Sequence, residues 1–291
     1  MSRRRSTNQS RSAGRRSNAG SQQRPGIGAD RRVKKPLLLL VGLIFAVLVG
    51  SPFILTKEKI DQDFCASDAK QQNITVVLID ASDQLSKEQT AALNSELMNL
   101  TQPRIGNKQF LLEKGDRLAV YLLGEDQSDL NRIFNMCNPG ALDDRTFTER
   151  ATEGKTFAEM RWYEFNKKIM SEVSNRINTA NSNKTSPLIE TIKHIRSVEY
   201  PPSDVAKNSS IFRMIIASDF LQNSGTASHY GKLPDVREVF QRHPVDLMGM
   251  DIYIWRLNSN SHPHLQSPHH LSWWRKYFAL SDANLQLPKQ F

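Results

Sequence analysis

The sequence predicts an α/β fold, a doubly wound and mostly parallel sheet, preceded by one transmembrane helix. Three observations predict it. Four apolar runs, at 74–80, 117–123, 211–218 and 245–256, are nearly continuous rather than alternating, as in strands covered on both faces. Segments with helical apolar spacing lie between them, and such alternation implies parallel strands joined by helices. Upstream, residues 36–56 form a stretch of 21 residues without a charge, between Lys35 and Lys57.

Taken in order, the first element is a basic tail, 1–35. It holds eleven Arg and Lys residues against one acid, Asp30, and after Met1 no large apolar residue before Ile27. Such a segment cannot bury a core and is expected to be disordered. The chain has 39 basic and 30 acidic residues, so the 256 residues after the tail hold 28 and 29 and are about neutral. The charge excess belongs to the tail, which argues against a nucleic-acid footprint on the folded part. The tail's expected role is topogenic, with contact to anionic lipid or nucleic acid as the alternative.

A helix over 36–56 is about 30 Å long at roughly 1.5 Å per residue, enough to cross the hydrocarbon core. A cleaved signal peptide fits less well, because Ser51-Pro52-Phe53-Ile54 is a poor small-residue cleavage site. Eleven positive charges before the span, against Lys57 and Lys59 just after it, place the amino terminus in the cytoplasm. The rest of the chain is then extracytoplasmic, and periplasmic in a Gram-negative cell.

Residues 57–73 are polar and read as a stalk, followed by one domain over 74–285. The run 74–80 is the first strand and ends in Asp80. Ser86-Lys87-Glu88-Gln89 has capping-box spacing and opens a helix with Leu93, Leu97 and Leu100 on one face. The run 117–123 is the second strand, and the more polar 131–137 suits an edge strand. A helix over 157–179 carries Trp162, Phe165, Ile169, Val173 and Ile177 on one face. Another opens at Ser186-Pro187, with serine as cap and proline at the first helical position. The strand 211–218 leads into Asp219, and a short helix near 234–243 precedes the strand 245–256. An aromatic helix over 271–280, with Trp273, Trp274, Tyr277 and Phe278, is expected to close the core rather than lie on a membrane or partner.

The two cysteines, Cys65 and Cys137, are candidates for a disulfide if the domain is exported, and would stay apart in the cytoplasm. Spacing alone does not decide between these.

Two strands therefore end in an aspartate, at the edge where open α/β sheets build ligand sites. In this order and setting three short segments resemble the metal-ion-dependent adhesion site of the von Willebrand factor A domain family. Asp80-Ala81-Ser82-Asp83-Gln84 matches its Asp-x-Ser-x-Ser motif except that Gln84 replaces the second serine. Ser186-Pro187-Leu188 matches the hydroxyl before a helix, with Thr185 as the alternative. Ser218-Asp219-Phe220 matches the strand-end aspartate without the glycine that often follows it. The resemblance spans roughly 70–285. It implies a Mg²⁺ or Mn²⁺ ion held by Asp80, Ser82, Gln84, Ser186 or Thr185, and Asp219. It further implies a protein partner whose acidic residue completes the coordination. Mg²⁺ prefers octahedral oxygen ligands and keeps several waters, so a few hydroxyls and carboxylates suffice. Gln84 offers an amide oxygen but is bulkier than serine, so the site is expected to be degenerate.

Other chemistry is poorly supported. The tract His262 to His270 carries two prolines and no helical His-x-x-x-His pair, and reads as a surface loop rather than a zinc site. There is no glycine-rich phosphate loop and no Gly-x-Ser-x-Gly elbow. The expectation is a membrane-anchored interaction domain and not an enzyme; the alternative is a Mg²⁺-dependent hydrolase using Asp80 and Asp219.

Overall fold

Five strands of seven residues each form where the apolar runs place them: β1 (Ile74–Asp80), β2 (Arg117–Leu123), β3 (Asn131–Cys137), β4 (Phe212–Ser218) and β5 (Met250–Arg256). The computed structural model describes residues 61–65, 73–101, 112–123, 131–141, 145, 147, 154–180, 185–200, 211–286 and 288–291. All belong to the compact unit Glu58–Phe291. The expected tail 1–35 and span 36–56 lie outside the described residues, among which no helix is long and apolar enough to cross a membrane.

The sheet order is β3-β2-β1-β4-β5-β6, where β6 is the two-residue strand Asn284–Leu285. A second short strand, β7 (Lys289–Gln290), also pairs with β5, so the sheet takes in residues past 285. Every pairing is parallel except that of β2 with β3, the polar strand expected at an edge. β1 and β4 lie side by side in the centre, with Ile79 level with Ala217. The chain winds outward from β1 in one direction and from β4 in the other, so a crevice opens at their carboxyl ends.

Helices cover both faces, which is why the central strands are apolar at nearly every position. Val77 and Ile79 point to the face covered by α1 (Lys87–Thr101) and α2 (Lys155–Thr179), where Leu93, Leu97, Leu100, Phe165, Ile169, Val173 and Ile177 are buried. Val76 and Leu78 point to the other face, against α3 (Leu188–Glu199), α4 (Val236–Arg242) and α5 (Pro268–Leu280). The aromatic segment of α5 is core: Trp274, Tyr277 and Phe278 are fully buried. The capping box of α1 forms as the spacing predicts, with Gln89 N–H donating to Ser86 Oγ (3.2 Å) and Ser86 N–H to Gln89 Oε1 (2.9 Å).

Four expectations need correction. The run 245–256 becomes strand only at Met250, because Gly249 (φ 77°) turns the chain and Met250 N–H closes on the Leu247 carbonyl. Ser186 does not cap α3. Pro187 takes the cap position without a side-chain bond, and Ile189 N–H is instead received by Gln222 Oε1 (3.0 Å) from the loop after β4. Trp162 is half-buried rather than core. His270 leaves the surface tract for the core, while His264 and His269 stay exposed.

Cys65 and Cys137 are bonded to each other. In the stretch expected to be a stalk, residues 61–65 form a turn laid on the end of β3, where Cys137 N–H donates to the Asp63 carbonyl (2.8 Å). Closing a loop of 72 residues contributes roughly 4 kcal/mol in the chain-entropy account.

Candidate metal and partner site

The crevice between β1 and β4 is built around Asp80. As the last residue of β1, it is carried to the crevice mouth and is only 3 % exposed. Its two oxygens are used differently. Oδ1 accepts Ser82 N–H (3.0 Å), which turns the chain away from the strand. Oδ2 accepts two hydroxyls, from Ser218 (2.7 Å) and Ser186 (3.0 Å). Ser218 ends β4 at the level of Asp80. Ser186 arrives because an isolated bridge to Asn223 pins it beside the loop after β4.

Asp219 follows Ser218. Its Oδ1 accepts Leu221 N–H (2.9 Å). Burial, then the charges of Asp80 and Asp83, push its pKa up to about 7. Asp83 behaves in the opposite way. Burial opposes its ionisation, but hydrogen bonds from Ser261, Ser259 and Asn260 outweigh this and hold its pKa below the ordinary value. Tyr230 stands at the rim, exposed, with its pKa raised by partial burial and by the charges of Asp219, Asp83 and Asp80. Asp80, Asp83, Gln84, Leu85, Asp219, Leu257 and Asn258 line a small depression there.

Of the six residues expected to hold an ion, the structure brings together Asp80, Ser82, Ser186 and Asp219. Ser82 is buried beside them, with its backbone N–H bonded to Asp80. Gln84 reaches the depression but is exposed, at its rim. Of the two hydroxyls in the second segment, Ser186 bonds to Asp80 and Thr185 does not. Two participants were not in the expected set. Ser218 was legible as a hydroxyl directly before a strand-end acid. Asp83 was legible only as a third carboxylate in the same turn.

The donor set suits a hard cation. Every group is a carboxylate or hydroxyl oxygen, the chemistry that favours Mg²⁺ or Mn²⁺ over zinc. Among the described residues no group of three or more His, Cys, Asp or Glu could hold a metal ion, so hydroxyls and waters would complete the shell. A cation there would offset the burial and the Asp80 charge that raise the Asp219 pKa.

Phe220, which follows the strand-end Asp219, adopts a left-handed conformation (φ 62°). That costs a non-glycine residue about 1–2 kcal/mol. Its carbonyl offsets the strain by accepting three donors: Trp274 Nε1 (2.7 Å), His270 Nε2 (2.8 Å) and Gln222 N–H (3.0 Å). His270 Nε2 also lies 3.1 Å from His229 Nδ1, and both rings are buried against Trp273 and Trp274. A proton on His270 Nε2 serves both acceptors and leaves the proton of His229 on its own Nε2, which has no hydrogen-bond partner among the described residues. Burial, and then the neighbouring His270, press the His229 pKa down to about 3.

No protein-family model matches the chain, and no curated protein matches it. Among solved structures it is similar to the manganese-loaded TRAP protein of Plasmodium vivax, at 15% identity and a TM-score of 0.29, over 63% of this chain and 57% of that one. It is also similar to an aerotolerance-related membrane protein of Bacteroides fragilis carrying multiple mutations to serine, at 9% identity and a TM-score of 0.27, over 63% of this chain and 67% of that one. The chain thus spans little more than half of the TRAP chain, and overlap of this extent assigns neither family nor ligand.

Proposed function

We propose that this chain is a single-pass membrane protein that presents a von Willebrand A-like interaction domain outside the cytoplasm. There it binds a protein partner through a divalent cation held in the β1/β4 crevice. The observation that carries the reading is the convergence of Asp80, Ser186, Ser218 and Asp219 at the point where the winding of the sheet reverses. Asp80 and Asp219 would supply negative charge to the ion. Ser82 and Ser186 would supply hydroxyl oxygens, and waters the remainder. An acidic side chain of the partner would take an open position. The bond between Cys65 and Cys137 supports an oxidising compartment. The charge asymmetry about residues 36–56 supports an extracytoplasmic domain.

The test is crosslinking in intact membranes. A partner should be captured by the wild type in Mg²⁺ or Mn²⁺, lost in EDTA, and lost with Asp80→Ala under all conditions. Capture that is indifferent to both EDTA and Asp80→Ala would place the binding surface elsewhere on the domain. Reporter fusions after residue 70 should be active only in the exported compartment; activity in the cytoplasm would defeat the topology.

A further inference from the structure

Asp83 enters the crevice as a third carboxylate, yet its oxygens are already occupied. Oδ2 accepts Ser259 Oγ (2.7 Å), Asn260 N–H (2.8 Å) and Ser261 N–H (3.1 Å), and Oδ1 accepts Ser261 Oγ (2.7 Å). A carboxylate offers about four acceptor sites, and four donors from one segment fall on this one, three of them on Oδ2, so most of its acceptor capacity serves that segment. The donors come from the segment between β5 and α5, some 176 residues away in the chain.

We propose that Asp83 is a positioning residue and not a ligand: it docks the segment 257–266 against the turn after β1 and thereby builds one wall of the cation site. The proposal rests on the cation reading above. Neighbouring bonds run along the same seam. Asn260 Nδ2 donates to the Gln84 carbonyl (2.7 Å), and Gln89 Nε2 to the Asn258 carbonyl (2.7 Å). Gln266 Nε2 reaches both the Leu257 carbonyl (2.7 Å) and the carbonyl of Asp219 itself (3.0 Å), so the segment that Asp83 holds is bonded to the backbone of a proposed ligand. The Ser259 hydroxyl also accepts His262 N–H (3.1 Å). His262 in turn stands edge-on to Tyr230, with ring centres 4.6 Å apart, and the pair forms the rim a partner would meet. Removing the Asp83 charge loosens wall, rim and the Asp219 backbone together while every proposed ligand residue is retained in the sequence.

The experiment is a Mn²⁺ titration of the full-length protein, read by thermal shift, with hydrogen exchange over 257–266 measured alongside. Asp83→Asn keeps the shape but turns an NH₂ toward the donors. It should weaken Mn²⁺ binding by about tenfold, the usual scale for a group that orients ligands, and speed exchange at Asn260 and Ser261. Ser261→Ala removes one hydroxyl donor and should weaken binding in the same direction by less; it also serves if Asp83→Asn does not fold. If Asp83 is a ligand, Ser261→Ala frees it and Mn²⁺ binding stays equal or tightens, which overturns the proposal. A lower melting temperature with unchanged Mn²⁺ affinity reduces Asp83 to a structural role and overturns it too. A wild type without any Mn²⁺ response defeats the cation reading separately. Exchange at Asn260 and Ser261 then decides the docking role: faster in Asp83→Asn supports it, unchanged refutes it.

Discussion

Phe220 separates two buried pairs of titratable groups, and the contrast between them explains the site. On one side Asp80 and Asp219 face each other at an opening. On the other His229 and His270 face each other behind Trp273 and Trp274. Each pair would repel if both members were charged, and burial presses Asp219, His229 and His270 toward their neutral forms. The carboxylates have hydroxyl neighbours and access to solvent, so a cation can relieve them. The imidazoles are closed in by indole rings, and the charged group that bears on them is Arg256, which lowers the His270 pKa further. The same physical problem is thus left open for a ligand on one side and sealed on the other.

The sealed side is the more expensive to break. Trp274→Ala deletes a fully buried indole and one of the donors that hold Phe220 left-handed. A loss of about 3–5 kcal/mol is expected from chemical denaturation, as for other buried Trp truncations. A loss under 1 kcal/mol would mean that α5 does not close this face of the core.

The open side should respond to ions instead. At a Mn²⁺ concentration a hundredfold above its dissociation constant, the wild type should gain about 2.7 kcal/mol by mass action. Asp219→Asn removes the repulsion with Asp80, so it should raise stability at pH 8 in EDTA and abolish the Mn²⁺ gain. A variant that is both less stable in EDTA and still ion-responsive would contradict the assignment.

Acid separates the two pairs by sign. Asp219 has a raised folded pKa, near 7, so the folded state binds its proton first and stability rises as pH falls from 8 toward 4. His229 has a lowered folded pKa, near 3, so the unfolded state binds its proton first and stability falls as pH drops below about 6.5. In EDTA these contributions oppose each other over pH 4–6.5. In Asp219→Asn only the histidine loss remains, so that variant should lose stability more steeply with acid than the wild type. Parallel pH profiles would show that one of the two pairs is not buried as described.

The smallest effect belongs to Gln84→Ser. Gln84 lies exposed at the rim, so exchanging it should change stability by less than about 0.5 kcal/mol while tightening Mn²⁺ binding. Unaltered affinity would show that the rim position takes no part in coordination.

The sequence made the strands legible because buried parallel strands need apolar residues at nearly every position. Asp80 and Asp219 were legible because a charge at the end of such a run has nowhere to go but the sheet edge. What was not legible depended on contacts between distant segments. Ser186 beside Pro187 looks like a helix cap, and only the approach of Gln222 and Asn223 frees its hydroxyl for Asp80. His270 sits in a proline-broken histidine tract, and its burial depends on His229 and Phe220, 41 and 50 residues away. Asp83 is one acid among several until Ser259, Asn260 and Ser261 close on it.

The most direct test of the central claim is the melting temperature of the full-length protein in Mn²⁺ and in EDTA, for the wild type and for Asp80→Ala. The convergence of Asp80, Ser82, Ser186 and Asp219 predicts a rise in Mn²⁺ that EDTA reverses and that Asp80→Ala lacks. No shift in the wild type at millimolar Mn²⁺, or an equal shift in Asp80→Ala, would contradict it.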